Sequence, residues 1–272
     1  MPELPEVEIA RRQLVRWFDG RRVARAEAEP ARTFRGSEPR EFEAIRGRLK
    51  DASRKGKYLL LSFERDRGLM AHLGMTGKFV RRPKGQAEPY SRARFVLDDG
   101  TVIHFRDPRL FGRMEPVPAG MLWDLPSVKL LGVDPLTDGL SVAQLKEALV
   151  GSKQELKVAL MDQSRVAGLG NIHAAEALFR SGLHPRRPVR NLKDAEWRKL
   201  AKAILDTIAF ALKTEGDTDE LEYVEEPGAP NPFLIYGRSG ETCRRCKSTI
   251  EAISQGGRTT HFCPGCQPRR PR

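Results

Sequence analysis

ARFVLDDGTVIHF, residues 93–105, decides the fold of the first half of this 272-residue chain. Alternating apolar positions on either side of Asp98-Asp99-Gly100 mark two antiparallel strands, Ala93–Leu97 and Thr101–Phe105, joined by a hairpin turn. Upstream, Tyr58-Leu59-Leu60-Leu61-Ser62-Phe63 is the short continuous run of a buried strand. The text stays in this style from about residue 21 to 117, without βαβ alternation and without a Gly-rich phosphate loop after any strand. An antiparallel sandwich or barrel is expected.

Towards the N-terminus the chain reads MPELPEVEIA. Val7, Arg11, Leu14 and Phe18 share one helical face, and Asp19-Gly20 ends the pattern. Pro5 suits the first helical position, where its missing N–H costs nothing. The spacing predicts a helix from about Pro5 to Trp17, with Pro2 and Glu3 just ahead of it. Two readings of that start stand side by side. The prolines and glutamates prime a helix, or the terminus is a reagent. Removal of Met1 exposes the secondary amine of Pro2. An α-amino group titrates at roughly 7.7–8.0, so a useful fraction is unprotonated at neutral pH. Such an amine can attack a sugar's anomeric carbon, with Glu3 as acid or base.

Towards the C-terminus, residues 130–139 carry Gly and Pro and look like a linker, after which the period turns helical. Ser141 can cap a helix that buries Leu145 and Leu149, and a second covers Gln154 to Met161. Asn171 can cap a third that Gly182 and Pro185 end. Trp197, Leu200, Ile204, Ile208 and Ala211 form the stripe of a fourth. Residues 214–232, TEGDTDELEYVEEPGAPNP, hold seven acids and no base, and look like a solvated loop or a mobile segment near a ligand.

Net charge is +12, which suits a polyanionic partner, because each Lys or Arg set on a phosphate releases counterions. No apolar run approaches the roughly 18 residues of a membrane span, and the acidic N-terminus is unlike a secretion signal. A cytoplasmic protein is the expectation. All four cysteines lie near the C-terminus as C-x2-C-x16-C-x2-C: Cys243, Cys246, Cys263 and Cys266. That spacing supplies four thiolates to one structural Zn2+, a zinc ribbon; two disulfides are the weaker alternative in a chain with nothing secretory about it.

The opening MPELPEVE resembles the N-terminus of the formamidopyrimidine-DNA glycosylases, the Fpg branch of the Fpg/Nei family. So do RKGKYLLL (54–61), AHLGMTG (71–77), DPRLFG (107–112), LMDQSRVAGLGNIHAAEALFRSGLHP (160–185), YGRSGETC (236–243) and GGRTTHFCPGC (256–266), in the family's order. The resemblance implies an α+β fold. An N-terminal helix and antiparallel β-sandwich fill 1–130, a linker 131–139, a helical domain with a helix–two-turn–helix 140–232, and a zinc ribbon with a basic tail 233–272. It implies a monomeric bifunctional DNA glycosylase and AP lyase of base-excision repair. The enzyme would act on damaged double-stranded DNA, near the nucleoid, with zinc as sole cofactor and no membrane.

Roles follow from the same resemblance. Pro2 is the nucleophile, Glu3 the acid or base and Glu6 a supporting carboxylate. Lys57 holds a phosphate and assists elimination. Arg258 and Asn171 grip phosphates flanking the lesion; Tyr90, Arg109, Lys153 and Lys157 are further DNA contacts. Met75, Arg109 and Phe111 fill the void left by an everted nucleotide, although packing alone would put Met75 and Phe111 in a core. His72 has no assigned role. The chain departs from the family at Tyr90-Ser91-Arg92, Leu110 and His173, and most of all at 214–232, where the branch usually covers oxidised purines. That departure admits oxidised pyrimidines or bulky adducts as substrates. A zinc-ribbon DNA-binding protein without catalysis is the rival from another class, and intact Pro2 and Glu3 argue against it.

Overall fold

The 93–105 hairpin forms as its spacing demands. In the computed structural model, which describes residues 2–29, 31–216 and 218–269, Leu97 N–H donates to Thr101 O at 2.8 Å and Gly100 N–H to Leu97 O at 3.0 Å. Gly100, at φ +84°, takes the left-handed place that a three-residue hairpin loop needs. Met1, Pro30, Asp217 and the tail residues Arg270, Pro271 and Arg272 lie outside the described residues.

The chain divides into two compact units, residues 1–130 with 215–229 and residues 131–214 with 230–272. The first unit contains α1 (Leu4–Phe18), β1 (Val23–Ala28), α2 (Pro39–Glu43), β2 (Leu49–Lys55), β3 (Tyr58–Phe63), β4 (Arg67–His72), β5 (Lys78–Arg82), β6 (Ser91–Leu97), β7 (Val102–Arg106), β8 (Arg113–Pro118) and α3 (Pro126–Lys129). Two antiparallel four-stranded sheets result, ordered β1-β6-β7-β5 and β2-β3-β4-β8. Aromatic rings join them: Phe63 of β3 lies 5.5 Å from Phe95 of β6, and Phe18 of α1 packs edge-on against both. The continuous apolar run of β3 has a physical cause. Leu60 faces a second cluster, with Met70, Leu122, Leu125 and Val128, so the strand is buried on both faces.

The second unit contains α4 (Val142–Leu149), α5 (Leu156–Met161), α6 (Asn171–Ser181), nearly all of α7 (Asp194–Glu215) and the antiparallel pair β9 (Glu251–Gln255) and β10 (Arg258–Phe262). Ser141 caps α4 through a capping box with Gln144, and Gly182, at φ +71°, ends α6. The α+β expectation is met.

Two boundaries differ from the sequence reading, and the linker between them is bonded down. Leu4 opens α1, and Pro5 is its second residue. The stretch 131–139 is pinned rather than slack: Gly132 N–H donates to Gln163 O and Ala167 N–H to Val133 O, each at 2.9 Å. A Cβ on Gly132 would sit 2.2 Å from the Arg165 carbonyl oxygen, so only glycine permits this approach. Residues 215–229, assigned by sequence to the helical domain, belong instead to the first unit, where Leu221 and Tyr223 are buried. Among the described residues no helix is long and apolar enough to cross a membrane.

Candidate active site and nucleic-acid interface

Residues Leu4 to Ala10 of α1 are all buried, which is unusual for a helix start containing Glu6 and Glu8. Each carboxylate has a local cause. Glu3 is the N-cap and, with Glu6, forms a reciprocal capping box; Glu3 N–H donates to Glu6 Oε2 at 2.7 Å, and the Glu3 side chain accepts from the Glu6 backbone. Pro2, Glu3 and Glu6 are therefore buried together at the positive end of the helix, which favours negative charge. Burial works to raise the Glu8 carboxyl, but hydrogen bonds from Arg11 and Arg12 and the charge of Arg54 outweigh it, and its pKa lies below the usual range.

Arg54 carries that anchoring to Lys57. Its side chain is 1% exposed, contacts Glu8 Oε2 at 3.3 Å and donates to Gly56 O at 2.9 Å. Gly56-Lys57 is the two-residue turn joining β2 to β3, with Gly56 at φ +55° and Lys57 half-buried. Removing one partner of a buried ion pair typically costs about 3–5 kcal/mol. Arg54→Met is expected to lower the unfolding free energy from a urea titration by up to about that amount, and a midpoint at the wild-type value refutes the anchoring.

His72, which sequence left without a role, lies beside this turn. Its Nδ1 accepts from Gly74 N–H at 3.1 Å, and its ring is 4.9 Å from Tyr58. Burial, then the charges of Lys57, Arg35 and Arg113, pull its pKa down to about 4. A neutral imidazole beside three cations suits an anion. The signal missed in the sequence was register, since Tyr58 pairs with His72 across β3 and β4. His104 is likewise lowered to about 4, by burial and then by Arg94 and Arg82. Both values fall below the 6.5 of an unstrained imidazole, so the unfolded chain binds these protons first. Their contribution to stability is complete above about pH 6.5 and is lost as pH falls toward 4. Replacing both with Gln is expected to flatten the Tm profile across that window, as differential scanning fluorimetry would show.

The loops carrying Met75 and Arg109-Leu110-Phe111 meet. A Cβ on Gly74 would lie 2.4 Å from the Phe111 carbonyl carbon. Buried Asp107 fastens both loops, accepting from Thr76 Oγ1 at 3.1 Å, Arg109 N–H at 3.3 Å and Gly112 N–H at 2.7 Å. Phe111 is 39% exposed with the Arg109 guanidinium 5.0 Å above its ring, and Met75 is half-buried, so the core-packing alternative fails for Phe111. Tyr90 is exposed, at φ +61°, with Arg92 over its ring.

In the second unit, Gly170 is the N-cap of α6, and Asn171 is the first helical residue rather than the cap. Its side chain is consequently available elsewhere: Oδ1 accepts from Lys157 Nζ, and Nδ2 donates to Thr259 O at 3.0 Å. Lys157 is fully buried, so it is a strut beneath Asn171 rather than a surface DNA contact. Arg258, next to Thr259, is exposed at the end of a hairpin turn whose Gly256 and Gly257 sit at φ +56° and +70°. The structure thus joins Asn171 to the Arg258 hairpin. Lys153 is exposed in the loop before α5. Buried Glu176 was not foreseen. It accepts from the backbone N–H of Leu234, Ile235 and Tyr236 and ties α6 to the approach of the ribbon. Burial of His173 against Phe233, edge to face, makes it a packing residue.

The four cysteines are free thiols, with their sulfurs all within 4.8 Å of one another. The Cys243–Cys266 separation is 3.8 Å, and a tetrahedron of Zn–S bonds of about 2.3 Å has edges of about 3.8 Å. The donor set fits one zinc and leaves no open coordination position, so the metal is structural.

Family models place these parts in one lineage. The formamidopyrimidine-DNA glycosylase N-terminal domain matches residues 1–114, the formamidopyrimidine-DNA glycosylase H2TH domain 131–222, and the zinc finger found in FPG and IleRS 240–269. A formamidopyrimidine-DNA glycosylase from Laribacter hongkongensis is 37% identical over 278 residues, covering 98% of this chain and all of that protein. The chain belongs to the formamidopyrimidine-DNA glycosylase family. Two solved structures of Lactococcus lactis Fpg, one a mutant with Fapy-dG-containing DNA and one with abasic-site DNA, each superpose with a TM-score of 0.86 at 30% identity. They cover 98% of this chain and at least 99% of theirs. This glycosylase is accordingly a base-excision repair enzyme with AP lyase activity, and its ribbon holds one structural zinc.

Proposed function

We propose that this glycosylase removes oxidised bases of the formamidopyrimidine and 8-oxoguanine type from duplex DNA, with Pro2 as nucleophile. One observation carries the proposal: Pro2, Glu3 and Glu6 are buried together at the head of α1 and held there by reciprocal capping bonds. With Met1 removed, the Pro2 nitrogen donates its lone pair to C1′, and the bond from C1′ to the base breaks. The base leaves with a proton. Opening of the C1′–O4′ bond, with a proton delivered to O4′ by Glu3, leaves an iminium. Loss of a C2′ proton then expels the 3′ phosphate, and a second elimination expels the 5′ phosphate. Glu6 keeps Glu3 in place.

Lys57 and neutral His72 receive a backbone phosphate, while Asn171 and Arg258 receive those flanking the lesion; Tyr90 and Lys153 add outer contacts. Met75 and Phe111 wedge into the gap, and Arg109 meets the orphaned partner base. The enzyme works in the cytoplasm, at the nucleoid through DNA binding. Oxidised pyrimidines form a second substrate class, favoured by the acidic segment 218–226, which is bonded down on residues 77–82 instead of resembling the family's purine cover.

Borohydride trapping tests this reading. Duplex DNA with an abasic site or 8-oxoguanine should give a covalent adduct that a residue added ahead of Pro2 abolishes. No adduct on any lesion would leave only a DNA-binding module.

A further inference from the structure

The acidic segment enters the first unit as a clasp around residues 77–78. Tyr223 is 4% exposed, and its hydroxyl donates to Gly77 O at 2.7 Å. Lys78, equally buried, donates from Nζ to Leu221 O at 2.8 Å and to the Glu226 carboxylate at 3.2 Å, and lies 5.9 Å from the Tyr223 ring centre. Arg82 adds Glu220 at 3.0 Å, and Gln13 of α1 donates to Thr218 O at 2.9 Å. Four side chains, Tyr223, Lys78, Arg82 and Gln13, thus hold a segment that composition alone would leave in solvent.

Gly77 is the C-terminal post of the loop that carries Met75. Its N–H closes that loop on Leu73 O at 2.9 Å, and a Cβ there would lie 2.4 Å from the same oxygen, so the post cannot shift inward. The Met75 loop is held by this internal bond, by Gly74 N–H on His72 Nδ1, by Thr76 on Asp107, and by Tyr223. Of these, Tyr223 comes from a segment remote in the chain from both wedge-bearing loops. Burial, then the charges of Glu6, Glu226 and Asp107, push the Tyr223 hydroxyl's pKa well above its usual value, so it remains a donor.

We propose that Tyr223 is a positioning residue for the wedge: its hydrogen bond to Gly77 O sets Met75, making residues 218–226 a fixed part of base extrusion. The inference rests on the proposed wedge role of Met75. A base still stacked and paired must be driven out, whereas an abasic nucleotide has already lost its stacking, so the two substrates separate wedging from chemistry.

The test is a double-mutant cycle on the full chain, read with 8-oxoguanine duplex and with preformed abasic-site duplex. Tyr223→Phe keeps the ring and deletes only the donor. Excision is expected to fall about tenfold, the scale of one buried hydrogen bond with an orphaned carbonyl, while adduct formation on abasic DNA stays within about twofold. In a Met75→Ala background the same substitution should cost nothing further. Lys78→Met, which releases the segment from its other side, should reproduce the split. Equal losses on both substrates, additive losses with Met75→Ala, or no loss at all would each overturn the proposal. Wild-type protein that traps no DNA removes the glycosylase reading as well. Wild-type trapping with excision indifferent to Tyr223→Phe removes only this one.

Discussion

A single residue added ahead of Pro2 is expected to abolish borohydride-trapped adducts while DNA binding persists. The reason is electronic. An extension turns the secondary amine into a tertiary amide whose nitrogen lone pair is shared with the carbonyl, and such a nitrogen does not attack a sugar. Loss on the order of a thousandfold or more is expected, as for removal of other covalent nucleophiles. Affinity for an abasic-analogue duplex should change by less than about threefold, since it arises from Lys and Arg contacts to phosphate. The extended protein should therefore be inactive yet DNA-competent in gel trapping and fluorescence anisotropy, whereas Pro2→Gly, which keeps a free α-amine, should retain part of the trapping. An extended protein that still traps DNA would move the nucleophile elsewhere, with the lysines as the next candidates.

Stripping zinc, or Cys263→Ser, is expected to open the ribbon and weaken DNA binding roughly a hundredfold, the loss of one or two charge-assisted contacts worth about 1.5–3 kcal/mol each. Cys243 and Cys263 are both fully buried and share a cluster with Ala175, Phe179, Ile235 and Ile250. The thiolates are thus part of the second unit's apolar packing as well as its metal site. Binding of structural zinc in small fingers supplies about 10–16 kcal/mol at neutral pH, which is folding energy for a ribbon of this size. Without it the two-strand hairpin presenting Arg258 has too little core to persist. Zinc release measured by a chromogenic chelator should parallel the loss of anisotropy, and added zinc should restore both. Stoichiometric release with unchanged affinity would separate Arg258 from DNA binding.

The sequence was most legible where one short-range rule decided the structure. Asp98-Asp99-Gly100 needed only a left-handed glycine, Ser141 only a cap with Gln144 in reach, and the cysteines only their spacing. Legibility failed where the partner was remote. Lys157 looks like any exposed lysine until α5 sets it under Asn171, fourteen positions on. Asn171 was misplaced by one position because Gly170 is extended enough to cap in its stead. Glu220, Leu221, Tyr223 and Glu226 read as solvated loop because Lys78 and Arg82, the cations that hold them, lie about 140 residues earlier. Of the candidate site, the head of α1 was visible and its burial was not, since Glu6 and Glu8 are residue types seldom found inside.

The discontinuity of the first unit has a consequence for synthesis. Residues 1–130 leave the ribosome well before 215–229, the segment that completes them. At about 5–20 residues per second the gap is roughly 4–17 s, during which Lys78 has neither Leu221 O nor Glu226 to bond. The N-terminal half therefore begins life with the strands of both sheets made but without the clasp on residues 77–82, which arrives only once the long helix α7 has been made. A fragment ending at residue 130 is never more than that intermediate. Dissecting this enzyme into an isolated catalytic half would study a nascent-chain state instead of a domain.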